Sequence, residues 1–329
     1  VACAAPATAP RAQGHAMSRG HWADLGETTF VGGTWFLYAV YRLLGRLPFR
    51  ICLYPVVLFW WLGSGPARRA SLDYLRRLNA AEGVFRREPG MRQSLAHFFL
   101  FGETLLDKML AIGGRYPRER IRFSGQQAML DAAQAGQGGI IATAHMGCLE
   151  LMQMAARWRE GLRVTILVHT AHAQQFNRIL ARLNPQATVR LLQVTDFSPA
   201  MAMALADRVA AGEFIAIAAD RVPVHGDRTC RAPFLGAEAD FPAGPWLIAS
   251  LLRCPVWGLS CLHDGDGYAS RIELLAEQVT LPRADRQAGL NDCAARFSGW
   301  LAGCLRQSPY DWFNFYDFWM PHADAHRPR

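Results

Sequence analysis

Apolar residues recur at helical spacing through Met91–Ile112, at Leu95, Phe98, Phe99, Leu105, Leu106 and Met109, which predicts a long helix. Ala67–Leu78 predicts another, with a mixed basic face. From Gly138 the period changes. Two glycines precede Ile140-Ile141-Ala142-Thr143-Ala144, the pattern of a short strand buried on both faces. A helix from about Cys148 to Trp158 follows, then a strand at Leu162–Val168, a helix at Gln174–Leu183 and a strand at Val189–Val194. Ala200–Ala211 reads as a helix, Phe214–Ala219 as a buried strand and Pro245–Leu252 as a helix. Pro255–Leu262 and Tyr268–Leu275 read as strands joined by the turn Asp264-Gly265-Asp266-Gly267. Strands alternating with helices predict an α/β fold: a mostly parallel sheet flanked by helices, with an antiparallel pair near the end.

The N-terminal region has a different pattern. Residues 1–16 are rich in Ala and Pro without an apolar period, which predicts a disordered tail, with Met17 as the expected natural start. From Thr28 to Leu62 the chain is apolar but interrupted by Arg42 and by the basic stretch Arg46-Leu47-Pro48-Phe49-Arg50. The apolar run Ile51–Leu62 would reach only about 18 Å as a helix, short of a hydrocarbon core about 30 Å thick. A helix-hinge-helix dipping into one leaflet is therefore expected, with Arg42, Arg46, Arg50, Arg68 and Arg69 at the headgroups. The alternative is a pair of helices buried inside the domain. The expected organisation is a tail at 1–16, a membrane-associated segment at 17–65, one catalytic domain at 66–320 and a short tail at 321–329.

Composition sharpens this picture at three points. The 10 Trp and 18 Phe lie mostly toward the two ends, a density suited to a lipid interface. A formal charge of +8 suits anionic lipid or an acidic partner, and without a zinc-finger spacing, an RNA-binding aromatic motif or a long basic run nucleic acid is not expected. No pair of the eight cysteines is spaced C-x-x-C, so they read as buried free thiols in a reducing compartment.

The informative stretch is Gly138–Met152, GGIIATAHMGCLELM. It places His145 at the carboxyl end of a buried strand, where functional groups of open α/β sheets collect. In a regular helix, residues five apart point about 140° away from each other, so His145 and Glu150 meet only if a turn separates them. Gly147 permits that turn. Such a pair supports removal of a hydroxyl proton: neutral imidazole accepts it, and a carboxylate on the other ring nitrogen fixes the tautomer. The alcohol oxygen then attacks an acyl thioester without a protein nucleophile. The competing reading is a satisfied buried histidine with a solvent-facing glutamate.

This His-x4-Glu after a buried strand resembles the signature of the lysophospholipid acyltransferase superfamily, in particular the late acyltransferases of lipid A biosynthesis. Three further segments are similar: Ala218-Ala219-Asp220-Arg221; Arg231-Ala232-Pro233-Phe234-Leu235-Gly236; and Phe241-Pro242-Ala243-Gly244-Pro245. Within that branch the chain looks most like a sub-group associated with aryl-polyene biosynthesis, through Leu44–Arg50, His169–Ala173 and Asp311-Trp312-Phe313-Asn314-Phe315-Tyr316. Lipid A enzymes usually end in a Trp-x-x-Arg-Arg-type stretch, and the aromatic ending here departs from it. The resemblance implies an O-acyltransferase in which His145 is the general base and Glu150 its partner. It also implies that Asp220 and Arg221 shape the site or hold a phosphate or phosphopantetheine, and that Arg228, Arg231 and His169 contact substrate. Backbone N–H groups of Gly147 and Cys148 would serve the oxyanion.

The donor implied is an acyl carrier protein or coenzyme A thioester, and the acceptor a lipid or glycolipid. No metal or other cofactor is expected, and the implied location is the cytoplasmic face of a Gram-negative inner membrane. The pair His169 and His172 lacks the acidic companions of a zinc site. The Asp264–Gly267 turn lacks the glutamate of a calcium loop, since Leu275 stands in its place. No G-x-S-x-G, G-x-G-x-x-G or P-loop is present. The alternatives are a non-catalytic lipid-binding protein of the same fold and a thioesterase.

Overall fold

The computed structural model describes residues 31–156, 162–168, 190–193, 198–222 and 228–320. Among the described residues four helices come first: α1 (Val31–Leu44), α2 (Arg46–Gly63), α3 (Gly65–Glu82) and α4 (Met91–Ile112). An α/β unit follows: β1 (Ile121–Ser124), α5 (Gln127–Gln134), β2 (Gly139–Thr143), α6 (Glu150–Ala156), β3 (Val164–Val168), β4 (Arg190–Gln193), α7 (Pro199–Ala210) and β5 (Phe214–Ala218). The hairpin β6 (Thr229–Phe234) and β7 (Ala237–Pro242), then α8 (Gly244–Leu252), β8 (Val256–Asp264), β9 (Gly267–Ala276) and α9 (Arg286–Gln307), complete it.

Among the described residues the main sheet has seven strands, in the order β1-β9-β8-β2-β5-β3-β4. Strands β8, β2, β5, β3 and β4 run parallel; β9 turns back antiparallel to β8, and β1 runs parallel to β9. The expected parallel sheet with an antiparallel pair near the end is therefore present. The expected helix at Gln174–Leu183 lies outside the described residues. Alternation of side chains divides β2 between two cores: Ile140 and Ala142 pack toward α3, α8 and α9, whereas Ile141 joins Met129, Phe214, Ala216, Trp257 and Leu259 on the other face.

Several elements had no counterpart in the sequence reading, the short helix α5 among them. Another is β1, whose four residues are too few to show a period. A third is the β6–β7 hairpin, which contains Pro233 and turns at Leu235 and Gly236, both at positive φ. A fourth is α9. Its three glycines weaken helix propensity, yet Leu290, Ala294, Phe297, Leu301, Cys304 and Leu305 form one buried stripe.

The N-terminal hinge is displaced from its expected place. Arg46–Arg50 belongs to the first turns of α2, and the break falls at Gly45, whose φ of 87° is left-handed and closed to most side chains. One face of α2 buries Phe49, Leu53, Val57 and Trp61, four residues apart each time, against α1 and α4. The basic residues here do not all face outward. Arg46 bonds Asp107 at 2.9 Å and Arg50 meets Glu103 at 3.0 Å. Equal spacing of four on both helices makes the rows coincide when α2 and α4 run antiparallel. Glu103 and Asp107 are buried, so these arginines neutralise carboxylates that would otherwise be costly to desolvate.

The opposite face of the α1–α2 pair is uncovered and apolar: Phe36, Leu43, Leu44, Leu47, Ile51 and Phe59 are exposed, Leu43 and Phe59 by more than four-fifths. Burying a side chain of this size contributes about 1.5–3 kcal/mol, and this face gains none of it in water. No single helix among the described residues is long and apolar enough to cross a membrane; α2 and α3 together satisfy length and composition but are bent by 96°.

Candidate active site

The site forms where β2 and β5 end side by side. Thr143 and Ala218 are register partners, and Ala219 N–H donates to the Thr143 carbonyl at 2.8 Å. His145 and Asp220 each follow two residues beyond that last pair, so parallel pairing alone carries them together. The Asp220 carboxylate clasps the histidine twice: the His145 backbone N–H donates to one oxygen at 2.9 Å, and Nδ1 lies 2.8 Å from the other. Trp312 Nε1–H donates to Asp220 as well, at 3.0 Å.

Asp220 is fully buried. Burial alone would raise its pKa, but His145, Arg221 and the Trp312 donor hold it well below the usual carboxylate range. Ionised Asp220 fixes Nδ1 as the protonated nitrogen and leaves Nε2 as the acceptor. The His145 side chain is 41% exposed, so the ring is reachable. Its pKa is nevertheless lowered, first by desolvation, then by the Arg221 guanidinium, against the pull of Asp220. The imidazole is therefore neutral at neutral pH, the form a general base requires.

Glu150 does something else. It opens α6, and its carboxylate pairs with Lys108 of α4 at 2.9 Å rather than with the imidazole. The sequence reading made Glu150 the histidine's partner; the nitrogen in question is taken by Asp220, because the strand register delivers an aspartate there first. Burial works against the Lys108 charge, but Glu150 keeps its pKa above the ordinary lysine value, and the ammonium in turn lowers that of His145. The neighbouring Cys148 thiol is buried, and burial together with Glu150 pushes its pKa far up, so it stays protonated and is a poor nucleophile.

The turn after His145 depends on Gly147. Its φ is +52°, and a Cβ there would stand 1.9 Å from the Cys261 carbonyl oxygen. Gly147 N–H donates to the Asp311 carbonyl and Cys148 N–H to the Cys261 carbonyl, each at 2.9 Å. Both amides are thus engaged in holding the loop, which corrects their expected service to an oxyanion. The cations whose fields reach the His145 ring are Arg221 and Lys108.

Other expected contact residues fall in several places. Asp220 is enclosed and satisfied by donors, so its place is behind the histidine and not against a phosphate. Arg221 stays at the site, donating to the Phe313 carbonyl at 2.9 Å and lying over the Tyr316 ring. Arg231 pairs across the hairpin with Asp240. Arg228 is exposed just before β6, and His169 lies outside the described residues. Among the described residues no group of three His, Cys, Asp or Glu is placed to hold a metal ion. Lys108 escaped the sequence reading, although a lysine beside Asp107 in a largely apolar helix was an available signal, and Trp312 entered it only as part of the Asp311–Tyr316 segment, without a role at the site.

A reachable imidazole at the carboxyl end of a central strand, clasped by a buried carboxylate and flanked by cations, is an arrangement suited to moving a proton during group transfer. The model of the bacterial lipid A biosynthesis acyltransferase family matches residues 93–320, more than half of the chain, and the protein belongs to that family. It is an acyltransferase, and the family's reaction is acyl transfer to a lipid. No curated protein matches the chain at a significant level.

Replacing Gly147 by Ala is expected to cost more than about 1 kcal/mol of stability, since a Cβ is disfavoured at positive φ and collides here with backbone. Denaturant unfolding measures the loss, and acyl transfer should fall at least tenfold with it; a Gly147→Ala protein of wild-type stability and rate would contradict the assigned loop geometry.

Proposed function

We propose that the protein is an O-acyltransferase that moves a fatty acyl group from an acyl carrier protein or coenzyme A thioester to a hydroxyl of a lipid or glycolipid, with His145 as general base. The observation that carries this reading is the neutral, reachable imidazole whose Nδ1 is clasped by ionised Asp220. His145 Nε2 takes the hydroxyl proton as the alcohol oxygen bonds to the thioester carbonyl carbon. The resulting oxyanion lies in the field of Lys108 and Arg221, whose positive charge favours it. Collapse breaks the carbon–sulfur bond, and the imidazolium returns its proton to the departing thiolate. Glu150 acts through Lys108: it fixes the ammonium and balances its charge within a partly buried site. No metal or other cofactor has a step in this sequence.

The reaction is assigned to the cytoplasmic face of an inner membrane. Support comes from the uncovered apolar face of α1 and α2 and from the net charge of +8, which favours anionic headgroups. A helix pair lying in one leaflet brings a lipid acceptor and the catalytic domain to the same surface.

His145→Ala and Asp220→Asn are expected to lower kcat by about 10²–10⁴-fold, with circular dichroism unchanged. Glu150→Gln, whose effect is indirect, should lower it less than Asp220→Asn does. Labelled acyl thioester and a total lipid extract provide the assay. Retained transfer in His145→Ala rejects the base, and acyl release to water without acylated lipid identifies a thioesterase instead. For the membrane assignment, Leu43→Asp combined with Phe59→Asp should move the protein from sedimenting anionic vesicles to the supernatant. Undiminished sedimentation would reject this face as the contact.

A further inference from the structure

A second histidine–aspartate clasp stands beside the first. His263, near the carboxyl end of β8, gives its backbone N–H to Asp311 Oδ2 at 2.6 Å, and its Nδ1 lies 2.6 Å from Oδ1. This is the same two-point arrangement that Asp220 makes with His145, one strand away, since β8 and β2 are parallel neighbours. The two differ in what faces the outer nitrogen. The His145 side chain is 41% exposed, whereas that of His263 is 17% exposed and its Nε2 is capped at 2.7 Å by the hydroxyl of Tyr268, its cross-strand partner on β9. With that hydroxyl against it, the outer nitrogen is closed to a substrate.

The second clasp is joined to the first through backbone. The Asp311 carbonyl accepts Gly147 N–H at 2.9 Å, and the next residues continue along the loop: Met146 bridges to Trp312, and Phe313 N–H donates to the His145 carbonyl at 3.0 Å. Trp312 Nε1–H donates to Asp220. Residues 311–313 therefore hold His145, Met146, Gly147 and Asp220 together, and the Asp311 side chain anchors that strap to β8. Behind it, Tyr268 O–H donates to Asp107, which also receives Arg46, each at 2.9 Å.

We infer that Asp311, held by His263, whose ring is in turn capped by Tyr268, is a positioning residue for the catalytic base: it sets the height and tilt of the His145 loop and never touches substrate. This rests on His145 being the base. Effective group transfer tolerates little misplacement, and an error near 1 Å can cost about 10²-fold in rate. Losing the anchor should therefore lower kcat while leaving substrate affinity in place.

The test uses the full chain in detergent micelles, with ¹⁵N-labelled histidine, and His145→Ala supplies the assignment. Wild-type His145 should report one tautomer, protonated at Nδ1. Asp311→Asn and His263→Leu should replace that signal by exchanging tautomers. In dodecanoyl coenzyme A turnover with a total lipid extract, both should lower kcat about ten- to a hundredfold with KM within about twofold. His263→Gln keeps a donor for Asp311 and should recover most of the loss. Should Asp311→Asn fail to fold, Tyr268→Phe, which removes a single hydroxyl, should still broaden the His145 signal and lower kcat severalfold. Wild-type tautomer and kcat in both His263→Leu and Tyr268→Phe would overturn the inference. A wild-type protein with no turnover would instead sink the proposed reaction, and the tautomer signal would then judge the positioning alone.

Discussion

Asp220 holds His145 by two hydrogen bonds, and that clasp exists only because β2 and β5 are paired in one particular register. A slip of one residue would turn the aspartate to the opposite face of the sheet and leave an ionised carboxylate buried without its partners. The register is guarded by the pattern that makes the strands: β2 is buried along its whole length, with Ile140 and Ile141 committed to different cores. Packing energy distributed over the sheet thus appears at the carboxyl ends of its central strands as a fixed imidazole orientation. The electrostatics follow from the same placement. Desolvation and nearby cations keep the ring neutral, while Asp220 keeps its charge and the tautomer.

Around the clasp, the chain after α9 acts as a strap between the catalytic loop and the N-terminal helices. Trp312 is fully buried and bonded to Asp220, and its carbonyl meets Nε2 of buried His97, whose Nδ1 faces Ser71. Burial lowers the His97 pKa to about 4, so the ring bridges α3, α4 and the strap as a neutral group. Phe313 and Phe315 pack against Phe98, Phe101 and Trp60. The aromatic ending that departs from the Trp-x-x-Arg-Arg-type stretch therefore serves as the joint between α2, α4 and the site.

Much of this was legible in the sequence. Buried strands such as Ile140–Thr143 and Phe214–Ala218 declare themselves by apolar runs ending near polar chemistry, and they placed His145 and Asp220 at strand ends correctly. Which carboxylate meets the imidazole was not legible. Glu150 is near His145 in the chain, while Asp220 is near it only through strand order, a property that no local spacing encodes. The Lys108–Glu150 pair and the Asp311–His263 clasp were hidden for the same reason. The hinge was misplaced because a cluster of arginines looks like a break until the acids that bind them, Glu103 and Asp107, are seen on the facing helix.

The central claim is that His145 enters the reaction as a neutral base in spite of its ionised neighbour. Titration of the His145 ring by nuclear magnetic resonance in the micelle-bound full chain tests it most directly. The account predicts a pKa below 6.5, the ordinary histidine value from which burial and Arg221 depress it. A ring that remains charged above that value, or that keeps the same pKa when Asp220 is replaced by Asn, would contradict it.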